Sequence, residues 1–232
     1  MTKIKICGIR RPADALAAAE AGADFVGMVF VPGRHRRLNT DAAKDVVRAL
    51  RSEADPAPQV VGLFADQPLD EVNLVIDACG LDLAQLCGKE SNESLEYCRR
   101  VKARVIKVVH VDASAEGEAA SDVLAERLGA YSGAGHLVTL DRLIEGVQGG
   151  TGRSFDWDVA ARLSQGGFSF LLAGGLSPEN VARAVAEVKP WGVDVSSGVE
   201  TGDVKDHQKI RAFVENAHRA SAVGDQRSAL DP

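Results

Sequence analysis

The 232-residue chain has little of what marks several common protein classes. Its four cysteines (Cys7, Cys79, Cys87, Cys98) show no CxxC spacing and none of the density of a disulfide scaffold, so a reducing compartment is expected. Five scattered histidines form no HExxH or other zinc-ligand spacing, and no metal site is expected. No apolar stretch approaches the ~18 residues of a membrane-spanning helix. The opening residues Met1–Lys5 enter a strand pattern at once, without the apolar core of a signal peptide. Net positive charge is also missing: the formal charge is −6, with a pI near 5.4. That balance argues against a nucleic-acid partner. A soluble cytoplasmic protein, without nucleic-acid or membrane partners, is the expectation.

What is present is alternation. Short β-branched runs at residues 3–7, 25–30, 59–64, 83–86, 105–110, 136–140, 168–172 and 193–195 read as strands. Between them lie amphipathic segments at about 12–22, 40–52, 68–79, 91–102, 117–131, 157–164, 178–188 and 205–219. Pro12 and Pro68 suit first helical turns, Ser177-Pro178 reads as N-cap and N1, and Gly22 and Gly80 suit helix stops. Eight strands alternating with eight helices predict an α/β fold with a parallel sheet, closed most naturally as a (β/α)8 TIM barrel. A doubly wound open sheet is the weaker alternative. The barrel is expected to span residues 1–219 as one domain, with 220–232 a flexible C-terminal tail.

Three clusters follow late apolar runs: Gly149-Gly150-Thr151-Gly152, Ala173-Gly174-Gly175 and Ser196-Ser197-Gly198. Glycines there let backbone N–H groups approach an oxyanion, and several such strand ends suggest one phosphate cradle. Gly149, Gly150, Gly152, Gly174, Gly175, Ser197 and Gly198 are its candidates, with Ser177 at a helix N-terminus adding dipole. At other strand ends stand Cys7 and Asp141, a thiol and a carboxyl able to flank a small substrate for proton transfer. Taken singly, a cysteine there is more often a buried filler and an aspartate a turn or cap residue; the phosphate clusters shift that balance, since both groups should project into the same mouth.

Lys5-Ile6-Cys7-Gly8, Gln148-Gly149-Gly150-Thr151-Gly152 with Phe155-Asp156-Trp157, Leu172-Ala173-Gly174-Gly175-Leu176 and Val195-Ser196-Ser197-Gly198-Val199-Glu200 together resemble the phosphoribosylanthranilate isomerase family over residues 3–217. The resemblance implies an Amadori rearrangement of N-(5-phosphoribosyl)anthranilate in tryptophan biosynthesis, without metal or organic cofactor, by a monomer or homodimer. It makes Asp141 the general acid at the ribose ring oxygen and Cys7 the general base at the adjacent sugar carbon. Arg36, rather than Arg34 or Arg37, matches the arginine that contacts the anthranilate carboxylate. Two departures stand out: Pro32-Gly33-Arg34-His35-Arg36 replaces the usual Ser-Pro-Arg or Ser-Lys-Arg, and Cys87 in Gln85-Leu86-Cys87-Gly88 replaces a histidine. Two alternatives remain open at this stage. One is a related or dual-substrate isomerase of histidine biosynthesis, which usually carries aspartate where Cys7 stands. The other is a non-catalytic barrel that binds phosphorylated ligands.

Overall fold

A computed structural model describes residues 1–89, 92–112, 117–143 and 157–228. Strands β1 (Lys3–Cys7), β2 (Phe25–Val29), β3 (Gln59–Phe64), β4 (Leu83–Leu86), β5 (Arg104–Asp112), β6 (Leu137–Leu143), β7 (Leu171–Leu172) and β8 (Gly192–Val195) pair in parallel and close into a barrel, β1 meeting β8. Helices α1 (Pro12–Ala21), α2 (Thr40–Glu53), α3 (Leu69–Cys79), α4 (Leu95–Arg99), α5 (Gly117–Gly133), α6 (Trp157–Gln165), α7 (Val181–Val188) and α8 (His207–Ser228) follow the strands in turn. The expected (β/α)8 architecture is therefore the observed one. A small antiparallel pair, β9 (Glu200–Thr201) with β10 (Val204–Lys205), sits between β8 and α8 and has no counterpart in the sequence reading.

Period-two alternation sorts each strand between two apolar layers. Ile4, Ile6, Val26, Met28, Leu140, Leu172 and Val193 face the helices, packing with residues such as Ala15, Val46 and Phe213. Cys7, Phe25, Val29, Val61, Leu63, Leu83, Ile106 and Leu171 fill the barrel interior. The same alternation turns Lys5, Gln85, Cys87, His110, Thr139, Asp141 and Asp194 inward. Trp191 packs beside Phe25, ring centroids 6.1 Å apart.

Several boundaries depart from the sequence reading. Strand β6 does not end at Leu140 but runs to Leu143, because β5 continues beside it with His110 opposite Asp141. Strand β7 is shorter than 168–172, since the Phe168 amide is spent on Leu163 O at the end of α6. Helix α4 is a short piece of 91–102, starting only after Ser94, whose side chain accepts from the Tyr97 amide. Helix α7 begins at Val181 rather than at Pro178. The Asn180 carboxamide instead braces the turn before it, accepting from Ser177 N at 2.8 Å and donating to Gly175 O at 2.9 Å.

Helix α8 continues to Ser228, into the segment that the sequence suggested as a tail. Ala220 packs against the core, and the buried Ser221 hydroxyl accepts from the Thr2 amide at 2.9 Å. A segment of small residues docks there without any apolar stripe to announce it.

Candidate active site

Residues at the C-terminal ends of barrel strands converge on one mouth. Cys7 closes β1 and is buried, with Gly27 of β2 opposite it in register. Asp141 projects from β6 and is half-buried. Both side chains face inward at the same rim, as the sequence reading requires of a proton-transfer pair.

Burial pushes the Cys7 thiol up, against the pull of the Lys5 ammonium and, more weakly, of Lys205. The sequence pattern assigned neither lysine a role, although Lys5 stands in the motif that carries Cys7. Lys5 is fully buried two residues before Cys7, and its Nζ donates to Asp194 Oδ2 at 2.7 Å. Burial alone would lower Lys5; Asp194, joined by Cys7 and Cys87, more than offsets that and keeps the ammonium charged.

Arg36 reaches the rim from the loop after β2. Its path is open because residue 8 is glycine: a Cβ there would stand 2.6 Å from Arg36 Cδ and 3.0 Å from Ser196 Oγ. The guanidinium is held side-on by Glu200, Nε to Oε1 at 2.8 Å and Nη2 to Oε2 at 2.5 Å. Glu200 Oε1 also accepts from Lys205 Nζ at 2.6 Å, and that ammonium donates to Ser196 O at 2.9 Å. Burial would raise Glu200, but the hydrogen bonds from Arg36 and Lys205 win and bring it down to about 2. The Nη1 edge of Arg36 has no acceptor among the described residues, which leaves a planar donor pair for one more carboxylate.

The late loops meet beside this group. Gly174 and Gly175 both take left-handed backbone, φ +89° and +72°. Their amides have no acceptor among the described residues, and the space where a Gly175 Cβ would stand is empty to 4 Å. Ser197–Val199 form one 3-10 turn, whose first amides have no partner within it. Gly198 lies against the Gly174-Gly175 loop so closely that a Cβ would sit 1.9 Å from Leu176 O. The structure thus brings Gly174, Gly175, Ser197 and Gly198 together, with the start of α7 displaced from Ser177. Gly149, Gly150 and Gly152 lie outside the described residues.

Cys87 faces the barrel mouth from β4, and burial raises its thiol to about 12. It accepts a long contact from Gln85 Nε2 at 3.6 Å, consistent with a filler. His110, opposite Asp141 in register, points its Nε2 at Cys87 O, 3.3 Å away. Among the described residues no cluster of three or more His, Cys, Asp or Glu side chains could hold a metal ion, and no helix is long and apolar enough to cross a membrane.

The model of the N-(5'-phosphoribosyl)anthranilate isomerase family matches residues 4–216. The chain belongs to this family. A curated isomerase of that name from Geobacter sp. is 46% identical over 224 residues, which cover 95% of this chain and all of the relative. The crystal structure of phosphoribosyl anthranilate isomerase from Thermotoga maritima superposes with a TM-score of 0.79 at 33% identity, covering 94% of this chain and 100% of that one. A family structure in complex with reduced 1-(o-carboxyphenylamino)-1-deoxyribulose 5-phosphate gives a TM-score of 0.76 at 32% identity, again over 94% and 100%. Within the family motif at the end of β8, Glu200 is present in the sequence, yet only its contact with Arg36 reveals what it does.

Proposed function

We infer that the chain converts N-(5'-phosphoribosyl)anthranilate into 1-(2-carboxyphenylamino)-1-deoxyribulose 5-phosphate, a step of tryptophan biosynthesis, by general acid–base catalysis. The observation that carries this reading is the pairing of Cys7 and Asp141, inward on β1 and β6, with a rim of free backbone amides beside them. Asp141 gives its proton to the ribose ring oxygen; the C1–O bond breaks and the anthranilate nitrogen becomes a protonated imine. The Cys7 thiolate then takes the proton from C2, and the C–H electrons neutralise the imine to an enolamine. Tautomerisation of the enolamine yields the ketone.

The other groups hold the substrate for these two transfers. The Nη1 edge of Arg36 takes the anthranilate carboxylate while Glu200 keeps the guanidinium plane fixed. The amides of Gly174, Gly175, Ser197 and Gly198 take the phosphate, joined by those of Gly149, Gly150 and Gly152. Fixing both ends of the opened sugar leaves C1 and C2 between the sulfur and the carboxyl. We place the enzyme in the cytoplasm, as a monomer or homodimer without nucleic-acid or membrane partners.

Loss of anthranilate-substrate fluorescence on adding the purified protein tests the reaction itself. Cys7→Ala and Asp141→Ala should each lower kcat about 10²–10⁴-fold, the usual worth of a positioned acid or base. Turnover near that of the wild type in either variant removes that residue's role.

A further inference from the structure

Among the described residues, two lysines are wholly buried in this barrel, and they are built differently. Lys107 is closed: its Nζ donates to Leu86 O at 3.3 Å, Gly88 O at 3.0 Å and Glu93 Oε2 at 2.7 Å. Its partner is closed as well, since Glu93 Oε1 accepts from Asp66 N and Oε2 from Gly88 N, each at 2.8 Å. Every donor and both acceptors are used, as a structural ion pair in low dielectric requires.

Lys5 and Asp194 are open. They face each other in register across β1 and β8, and a single 2.7 Å bond joins them. Asp194 Oδ1 is buried with no hydrogen-bond partner among the described residues. An ammonium carries three donors, so this one has capacity to spare. On β1, alternation puts the next inward side chain, Cys7, directly above it, where the ammonium charge favours a thiolate. An under-used buried charge costs stability unless another anion completes it, and the thiolate is the anion at hand.

We propose that Lys5 is the positioning residue that makes Cys7 a base, and that Asp194 tempers it by competing for the same ammonium; the proposal rests on the reading of Cys7 given above. The other groups around the sulfur are already balanced among themselves. Lys205 and Arg36, which also favour a thiolate, are both tied to Glu200, and Cys87 from β4 is neutral. Lys5 is left as the cation whose counter-charge changes when Cys7 takes up or gives away a proton.

The two partners predict shifts of opposite sign, which a purely structural role would not produce. The experiment is alkylation of the purified enzyme by iodoacetamide across pH 6–10, a midpoint pushed beyond that window being read from the fall in rate at each pH. Modified peptides are counted by mass spectrometry, so that Cys7 is read apart from Cys79, Cys87 and Cys98. Lys5→Met should move the Cys7 midpoint up by about 1–3 pH units, the usual effect of an opposite charge at this range, and lower kcat with little change in KM. Asp194→Asn should move it down. The double variant Lys5→Met/Asp194→Asn, which buries no lone charge, should fold where the single does not; its midpoint should still lie above that of the wild type.

Unmoved midpoints, or shifts of the same sign in the two single variants, overturn the proposal, as does a double variant at or below the wild type. Because alkylation reads the sulfur without turnover, failure here is separable from failure of the base assignment. An active Cys7→Ala ends the latter; an inactive Cys7→Ala with unmoved midpoints ends only the role of Lys5.

Discussion

At the scale of single residues, the site is a set of charges that hold one another still. Arg36 has two planar donor edges, and Glu200 occupies only the Nε edge. A carboxylate arriving at Nη1 meets a guanidinium that has already given up its rotamer freedom. Arg36→Ala should therefore raise KM for the anthranilate substrate by about 10–100-fold, the worth of a charge-assisted hydrogen bond, while altering kcat far less. An unchanged KM in steady-state assays would pass the role to Arg34 or Arg37. Cys7 could be picked out of the sequence because strand ends in a barrel are functional by geometry, and Arg36 through the family resemblance. Their supports could not. Lys5 and Asp194 are 189 residues apart, Arg36 and Glu200 are 164 apart, and no local spacing links either pair.

At the scale of elements, strand interiors were legible and strand ends were not. Alternation and β-branching belong to the residues themselves, so the eight strands could be located from the sequence pattern alone. Where β6 stops depends on β5 lying beside it, and where α7 starts depends on a side chain reaching back to Gly175. The cradle shows the same dependence. Glycine at 198 announces a turn, but its requirement is that one loop lie flush on another. Gly198→Ala would drive a Cβ to 1.9 Å from Leu176 O, a backbone atom that cannot step aside. We expect about 1–3 kcal/mol of lost stability, as for other overpacked sites, together with a higher KM from a disturbed phosphate loop. Thermal melting and steady-state kinetics on the variant check both, and an unchanged melting temperature would show that the loops separate freely.

At the scale of the whole molecule, the barrel class could be read from the count and order of elements, whereas its closure rests on contacts between the two ends of the chain. The Arg36–Glu200–Lys205 group is part of that closure and carries a pH signature. Glu200 sits near 2 when folded against an ordinary value of 4.5, so the folded state binds fewer protons between these limits. Its stabilising effect is complete above pH 4.5, falls as the pH drops through the interval, and is gone below about 2. The difference in melting temperature between the wild type and Glu200→Gln should be largest above pH 4.5 and shrink toward pH 2. A constant difference across that range would mean that the carboxylate's charge contributes nothing.

The union of β1 with β8 also has a consequence for how the protein is made. Lys3 emerges from the ribosome about 10–40 s before its partner Gly192, at 5–20 residues per second over the 189 positions between them. Through that delay the first strand presents a bare hydrogen-bonding edge of the kind on which neighbouring nascent chains aggregate. Two ammonium groups in five residues, Lys3 and Lys5, keep that edge hydrated while it waits. A lysine that the finished barrel buries thus has a use on the unfinished one.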